Sequence, residues 1–372
     1  MKLAIVRQRY NPYGGAERFV ARALPALERR GADVTLIARS AAGWGAGKVL
    51  RVNPFYLGNL WRDASFACAA RKAWREGGFD LVQSHERIPG CDVYRAGDGV
   101  HRRWLELRRA AAGALERLGI ALNLYHRYVC RAERRMFEDP RLKAVVCNSR
   151  MVRDEIARGF RVAPGKLHVI HNGVDLDHFN PSIRASLRTQ ARREFDIEKE
   201  ATVFAFVGSG FARKGLGAAI DALAEPQARS FRLLVAGRDR QRRRFERQAA
   251  QRGVAGRVDF LGGRDDVRPV YAAADCLILP TRYDPFPNTV LEALAMGLPA
   301  IVSTRCGAAE VIRPGVNGWI GEPDDAPALA RLMYSAADAA RGAAIGAQAR
   351  ASAEAFGIDA MAGKLAELYA TL

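Results

Sequence analysis

Short apolar runs alternate with longer amphipathic stretches along this chain, and the alternation occurs twice. Residues 2–8 read as a strand, then a loop carries Asn11-Pro12-Tyr13-Gly14-Gly15, a helix follows over about 16–30, and another strand lies near 32–39. In that helix the apolar positions share one face while Arg18, Arg22 and Glu28 fall largely elsewhere, as expected beside a sheet. Further strands are expected at 79–84, 92–96, 142–147 and 167–171, with helical patterns near 101–118, 123–138 and 150–159. The second series places strands at 201–207, 231–236, 258–261, 276–280 and 299–303, separated by helices near 215–224, 241–252, 265–274 and 289–296. Strands alternating with helices predict parallel α/β sheets.

Between the two series, Asn180-Pro181 leads into polar, Arg-rich sequence that stops at the apolar run 201–207. The expected division is a first domain over 1–175, a linker over 176–198, a second domain over 199–353 and a terminal helical segment over 354–372. A length of 372 residues agrees with two domains. Two α/β units of nucleotide-binding size predict a ligand cleft between them.

Charge sharpens the picture only slightly. Lys and Arg number 58 against 40 Asp and Glu, a formal charge of +18. That excess favours an anionic partner: nucleic acid, acidic lipid or a phosphorylated small molecule. No run of 18 apolar residues is present, so no membrane-crossing helix is expected, while surface attachment stays open. The N-terminus reads as a strand, not a signal peptide. Cys68, Cys91, Cys130, Cys147, Cys276 and Cys306 lack CxxC spacing and read as buried free thiols of a reduced compartment.

Open α/β sheets bind ligands beyond the C-terminal ends of their strands. One such loop is Gly208-Ser209-Gly210-Phe211-Ala212-Arg213-Lys214-Gly215, where glycines let the backbone approach a phosphate and Arg213 and Lys214 supply cationic donors. It is neither a P-loop nor GxGxxG, and by itself it reads equally well as a solvated basic turn. The second loop follows the strand at 276–280. There Asp284 can reach sugar hydroxyls, Asn288 or Thr289 can cap the next helix, and Glu292, an acceptor-only group, suits a ribose diol.

The acidic-x7-Glu pattern of Asp284 and Glu292, with Arg213-Lys214-Gly215 upstream, resembles the donor domain of family-4 retaining glycosyltransferases of the GT-B fold: two Rossmann-like domains with an interdomain cleft. Gly297-Leu298-Pro299 and Gly315-Val316-Asn317-Gly318 match further patterns of that family. The resemblance implies that Arg213 and Lys214 hold a diphosphate, Asp284 contacts the donor sugar, Glu292 holds the ribose, and backbone groups of Asn288, Thr289 and Val290 assist at the phosphates. Asp284 stands where the family usually has Glu, one methylene longer, which bears on the identity of the sugar. Gly14 and Gly15 resemble the family's glycine loop facing the leaving diphosphate, and His171-Asn172-Gly173 resembles its turn near the domain crossing.

The stretch Arg87 to Asp98 resembles a subgroup of bacterial lipopolysaccharide-core glucosyltransferases. By resemblance, Asp98 aligns where many relatives carry a His near the reacting sugar, with His101 its local competitor and His171 an additional site residue. Arg102, Arg103 and Trp104 are the acceptor-side candidates, within a larger group containing Arg108, Arg109, Arg127, Arg131, Arg134, Arg135, Tyr125 and Tyr128. The implied substrates are a nucleotide sugar, UDP-glucose first, and a phosphorylated glycolipid or lipopolysaccharide-core acceptor. An anionic membrane surface is the further partner, placing the chain in the cytoplasm or peripherally on the cytoplasmic face of the inner membrane. No cofactor and no metal are expected, because two basic side chains stand at the donor site without an acidic DxD-like element. Two alternatives stay open: another family-4 activity using mannose, galactose or N-acetylglucosamine, and a nucleic-acid-binding protein without catalysis. Only the charge supports the latter, since no nucleic-acid module is recognisable.

Overall fold

The computed structural model describes residues 1–10, 27–41, 47–339 and 343–372. The chain divides into two compact units, one formed by 1–172 together with 358–372, the other by 173–357. Gly14, Gly15, Glu17 and Arg18 lie outside the described residues.

Among the described residues the first unit holds a parallel sheet of β1 (Lys2–Val6), β2 (Asp33–Ala38), β3 (Lys48–Arg51), β4 (Leu81–Ser84), β5 (Val93–Ala96), β6 (Ala144–Cys147) and β7 (Leu167–Val169). Its spatial order is β3-β2-β1-β4-β5-β6-β7. The chain thus winds outward from β1 to one edge and then restarts on the other side of β1. Side-chain alternation in β1 feeds two cores. Leu3 and Ile5 face one, while Ala4 and Val6 face the other with Phe66, Ala70 and Trp74. The helices are α1 (Gly58–Glu76), α2 (His101–Ala111), α3 (Ala114–Leu122), α4 (Leu124–Phe137) and α5 (Arg150–Gly159).

The second unit begins with α6 (Pro181–Glu194) and repeats the winding with β8 (Thr202–Val207), α7 (Phe211–Lys214), α8 (Leu216–Leu223), β9 (Phe231–Ala236), α9 (Arg242–Gln251), β10 (Val258–Gly262), α10 (Arg268–Ala273), β11 (Cys276–Leu279), α11 (Asn288–Ala295), β12 (Ala300–Ser303), β13 (Gly318–Gly321), α12 (Ala326–Ala339) and α13 (Ala343–Glu354). The order is β10-β9-β8-β11-β12-β13, all parallel. Strands such as Val203–Val207 are buried on both faces, as a sheet sandwiched by helices requires. The last helix, α14 (Ile358–Ala370), returns to the first unit and lays Met361, Leu365, Leu368 and Tyr369 on the Leu3–Ile5 face.

Several elements differ from expectation. The segment 176–198, expected as a linker, carries α6 and belongs to the second unit. Its Arg184, Arg188 and Arg192 reach the carbonyls of Ala272, Ala273 and Ala274 and the carboxylate of Asp275, which fastens it to α10. The single helix expected over 101–118 is two, because the backbone turns extended at Ala112 and Gly113. Helix α1 and strands β3 and β13 were not foreseen. Cys91, Cys147, Cys276 and Cys306 are buried, but Cys68 is exposed and Cys130 only partly covered, so the expectation of six buried thiols is corrected at those two. No helix among the described residues is long and apolar enough to cross a membrane.

Candidate functional site

In the second unit the winding reverses between β8 and β11, and ligands of doubly wound sheets settle at such a switch point. The two expected loops leave these strands. They are locked together: the Arg213 carbonyl accepts from the Arg282 N–H (2.8 Å) and the Thr281 hydroxyl (2.9 Å). Gly215 permits the approach. Its φ is +83°, and a Cβ there would stand 1.9 Å from the Pro280 carbonyl oxygen.

This crossing gathers three of the expected side chains. Lys214 Nζ donates to Asp284 Oδ2 at 2.9 Å, and Arg213 Nη1 lies 3.3 Å from the same oxygen. Arg213 also donates to the Tyr283 carbonyl. Both Lys214 and Asp284 are buried. Burial pushes the Asp284 carboxyl upward, but the charges of Lys214 and Arg213 and the Lys214 hydrogen bond more than offset it, leaving its pKa below the ordinary value. At the start of turn α7 the Phe211 N–H donates to Asp239 Oδ2 (2.7 Å) and is already satisfied.

Helix α11 opens at Asn288, with Pro287 as its cap residue. Neither Asn288 nor Thr289 caps it, contrary to expectation: Pro287 has no side-chain acceptor, and no side-chain hydrogen bond caps this end. The Thr289 hydroxyl is buried and has no hydrogen-bond partner among the described residues. Val290 and Glu292 are fully buried, and Glu292 Oε2 accepts from the Tyr271 hydroxyl at 3.0 Å. Tyr271 was not singled out in the sequence, since it lies on α10, 21 residues upstream of its partner.

The first unit reverses between β1 and β4, and a polar pocket of about 330 Å³ lies there. It is lined from the β1 loop by Arg7, Gln8 and Arg9, from the β4 loop by Glu86 and Arg87, from the turn after β5 by Asp98, and from helices α1 and α4 by Arg62, Asp63, Tyr125 and Tyr128. Asp98 is half-exposed and 3.4 Å from Arg7 Nη1. Asp63 organises the opposite wall. Its Oδ1 accepts from Arg62 Nε (2.7 Å) and Gln8 Nε2 (3.0 Å), and its Oδ2 from the Tyr125 hydroxyl (2.8 Å). Burial and the Asp63 contact raise the Tyr125 phenol to about 12, so it stays a donor.

The other expected residues fall elsewhere. His101 begins α2, with its ring against His126 (Nε2 to Nδ1, 3.2 Å). Burial, then Arg87 and His126, push its pKa down to about 3, so its imidazole is neutral near pH 7. The α2 N-terminus is held by buried Glu133, which accepts from the His101 and Arg102 N–H groups and from Arg87 Nε. Arg102 and Arg103 are exposed on α2, both within 3.3 Å of Glu106, with Arg103 also 3.7 Å from Glu155. Trp104, in the same helix, is partly buried. His171 is partly buried beside Asn172, whose Oδ1 accepts from Arg95 Nη2. Leu115, Leu118 and Leu122 share one face of α3 and are exposed, as is Leu124 at the start of α4. No group of three or more His, Cys, Asp or Glu suited to a metal occurs among the described residues.

Comparison with known proteins matches residues 13–178 to glycosyltransferase family 4 and residues 188–349 to the glycosyl transferases group 1. The chain is 28% identical over 343 residues to the lipopolysaccharide glucosyltransferase WaaG of Escherichia coli K12, covering 90% of this chain and 89% of that protein. It is 28% identical over 337 residues to the lipopolysaccharide core biosynthesis glycosyltransferase LpsE of Rhizobium meliloti, covering 86% and 84%. The crystal structure of WaaG superposes with a TM-score of 0.85 at 26% identity, covering 98% of this chain and 99% of that one. Anabaena HepE, solved in complex with UDP-glucose, shares the fold with a TM-score of 0.75 at 21% identity, over the whole of both chains.

Proposed function

Given that the chain is a nucleotide-sugar-dependent glycosyltransferase of the GT-B fold, related to the lipopolysaccharide-core glucosyltransferases, we propose that it transfers glucose from UDP-glucose, with retention, to an inner-core heptose. The observation that carries the donor half is the Arg213–Lys214–Asp284 cluster at the switch point of the second sheet, beside the uncapped start of α11.

In this reading Lys214 and Arg213 stabilise the charge growing on the departing diphosphate, a contribution that strengthens toward the transition state. An ammonium has three N–H donors, and Asp284 occupies one, so Lys214 can meet phosphate oxygens without leaving its partner. The first-turn N–H groups of Asn288 and Thr289 complete the cradle, with Val290, whose N–H also donates to the Pro287 carbonyl (3.2 Å), beside them. Glu292, oriented by Tyr271, accepts from the ribose hydroxyls. Asp284, drawn back by its two cations, touches the hexose at the shorter reach of an aspartate. By the family resemblance alone, Gly14 and Gly15 are assigned to the diphosphate.

The acceptor sugar occupies the first-unit pocket, where Asp98 orients or deprotonates its attacking hydroxyl. A phosphate oxygen of the donor is the other base available to a retaining reaction. His101 and His171 are secondary site residues, and His101 is a poor base because burial, with Arg87 and His126 nearby, holds its pKa down to about 3. Arg102 and Arg103, with Trp104, approach core phosphates. The exposed leucine face of α3, among arginines, rests on an anionic membrane at the cytoplasmic side. Slow hydrolysis of a panel of nucleotide sugars by the purified protein tests the donor. Transfer to a heptose-terminated core, with the anomer assigned by NMR, tests the acceptor and stereochemistry. Turnover of GDP-mannose or UDP-N-acetylglucosamine in place of UDP-glucose would displace the glucose assignment.

A further inference from the structure

A second apolar surface lies on the first unit, apart from the α3 leucines. Phe55 and Leu57 are 72% and 68% exposed in the segment before α1, and Leu60 and Trp61 are 39% and 46% exposed in its first turn. The Phe55 and Trp61 rings meet edge to face at 5.6 Å. Single exposed apolar residues carry no message, but four clustered within seven positions form a patch.

The patch is held in place from beneath. Arg39 is buried and donates to Asn53 Oδ1, the Pro54 carbonyl, the Arg62 carbonyl and Ser65 Oγ, bracketing the segment at both ends. Its guanidinium also lies 4.5 Å from the centre of the Tyr56 ring. A buried arginine spent on fixing a short surface segment keeps the flanking Phe55 and Leu57 turned outward. The patch runs directly into the pocket: Trp61 is followed by Arg62 and Asp63, and Asp63 is hydrogen-bonded to Tyr125, the neighbour of exposed Leu124. Exposed Arg9 adds positive charge at its edge, joined to the segment through Tyr56.

We infer that Phe55, Leu57, Leu60 and Trp61 form a lipid-contacting ridge that seats the first unit on an anionic bilayer, with the Asp63–Tyr125 pocket at the bilayer surface. The occupant follows from chemistry. Aromatic and aliphatic side chains enter the acyl boundary, Arg9 remains with anionic headgroups, and the chain's +18 charge draws it to such a surface. This rests on the reading of a glycolipid acceptor, whose sugar would enter the pocket while its lipid stays in the bilayer.

The test is flotation of the full chain with vesicles of phosphatidylcholine alone or of phosphatidylcholine and phosphatidylglycerol in equal parts, with no glycolipid present. Binding should require phosphatidylglycerol. The F55S/W61S double variant should partition at least about tenfold more weakly, given the area two such rings bury. The F55L/W61L variant, still apolar, should retain most of the binding. The urea denaturation midpoint and far-UV circular dichroism of each variant report folding of the first unit and should stay near wild type. Equal partition by wild type and F55S/W61S overturns the ridge, as does equal loss by both variants. A wild type that dimerises through this patch and floats with neither vesicle also overturns it. Failure of any core acceptor to be glycosylated would sink the acceptor reading and leave the vesicle result standing.

Discussion

Lys214→Ala removes one member of a buried ion pair and leaves the other behind. Asp284 would remain 6% exposed, with Arg213 at 3.3 Å as its surviving cation. Breaking a buried pair from one side costs about 3–5 kcal/mol, and the lower end applies here because Arg213, one-third exposed, still compensates in part. The loss should depend on pH in a defined direction. In the wild type the folded Asp284 pKa lies below its ordinary value, so the pair's stabilisation is present above the unfolded pKa and disappears as pH falls through the folded one. Without Lys214 the dominant influence on Asp284 is burial, which raises its pKa. The gap in stability between the two proteins should therefore be widest near neutrality and narrow toward acid. Urea denaturation of both proteins at pH 7.5 and in steps down to pH 3 measures it. Calorimetry with UDP measures the functional half: a lost charge-assisted contact worth roughly 1.5–3 kcal/mol weakens affinity about 10- to 150-fold. A pH-independent gap would refute the electrostatic account of Asp284, and unchanged UDP affinity would remove Lys214 from the diphosphate site.

Asp98→Asn should leave UDP affinity intact and lower transfer to core acceptors by roughly 10²–10⁴-fold if Asp98 is the base, and by less if it orients the hydroxyl. Transfer at the wild-type rate would exclude it. Tyr271→Phe frees buried Glu292 from its hydroxyl donor and should weaken uridine and UDP alike, by roughly tenfold, since the effect travels through the ribose contact. A loss confined to UDP would contradict that route. Gly215→Ala meets both a positive φ and a backbone oxygen that cannot yield, so the urea midpoint should fall by the equivalent of about 2–4 kcal/mol. A near-normal midpoint would mean the two donor loops need not cross so closely.

The donor loops were legible in the sequence because their signals are local: a strand, a glycine turn and a basic pair, or a strand, two prolines and an acidic spacing. What escaped was contact across distance. Lys214 meets Asp284 at a separation of 70 residues, and Tyr125 meets Asp63 at 62, so no window of sequence holds either pair. Helix α1 escaped for a different reason. Its buried stripe is only Phe66, Ala70 and Trp74, and exposed Leu60 and Trp61 blur the periodicity that would have revealed it. Strand β3 is a short edge, Lys48-Val49-Leu50-Arg51, with little buried apolar content, while β13 begins and ends with glycine. The cap of α11 was misplaced because polar Asn288 and Thr289 suit that position by type, yet the extended Pro287 takes it.

The return of α14 to the first unit sets an order of events on the ribosome. Residues 173–357 are contiguous and can condense as soon as they emerge. The first unit cannot finish then, because Met361, Leu365 and Leu368 close the Leu3–Ile5 face of its sheet. Burying those three side chains is worth roughly 5–9 kcal/mol, comparable to the whole stability of an ordinary domain. At synthesis rates of about 5–20 residues per second, that face waits roughly ten to forty seconds for its cover. Translation that stops short of residue 358 should thus yield a folded second unit tethered to an open, chaperone-dependent first one.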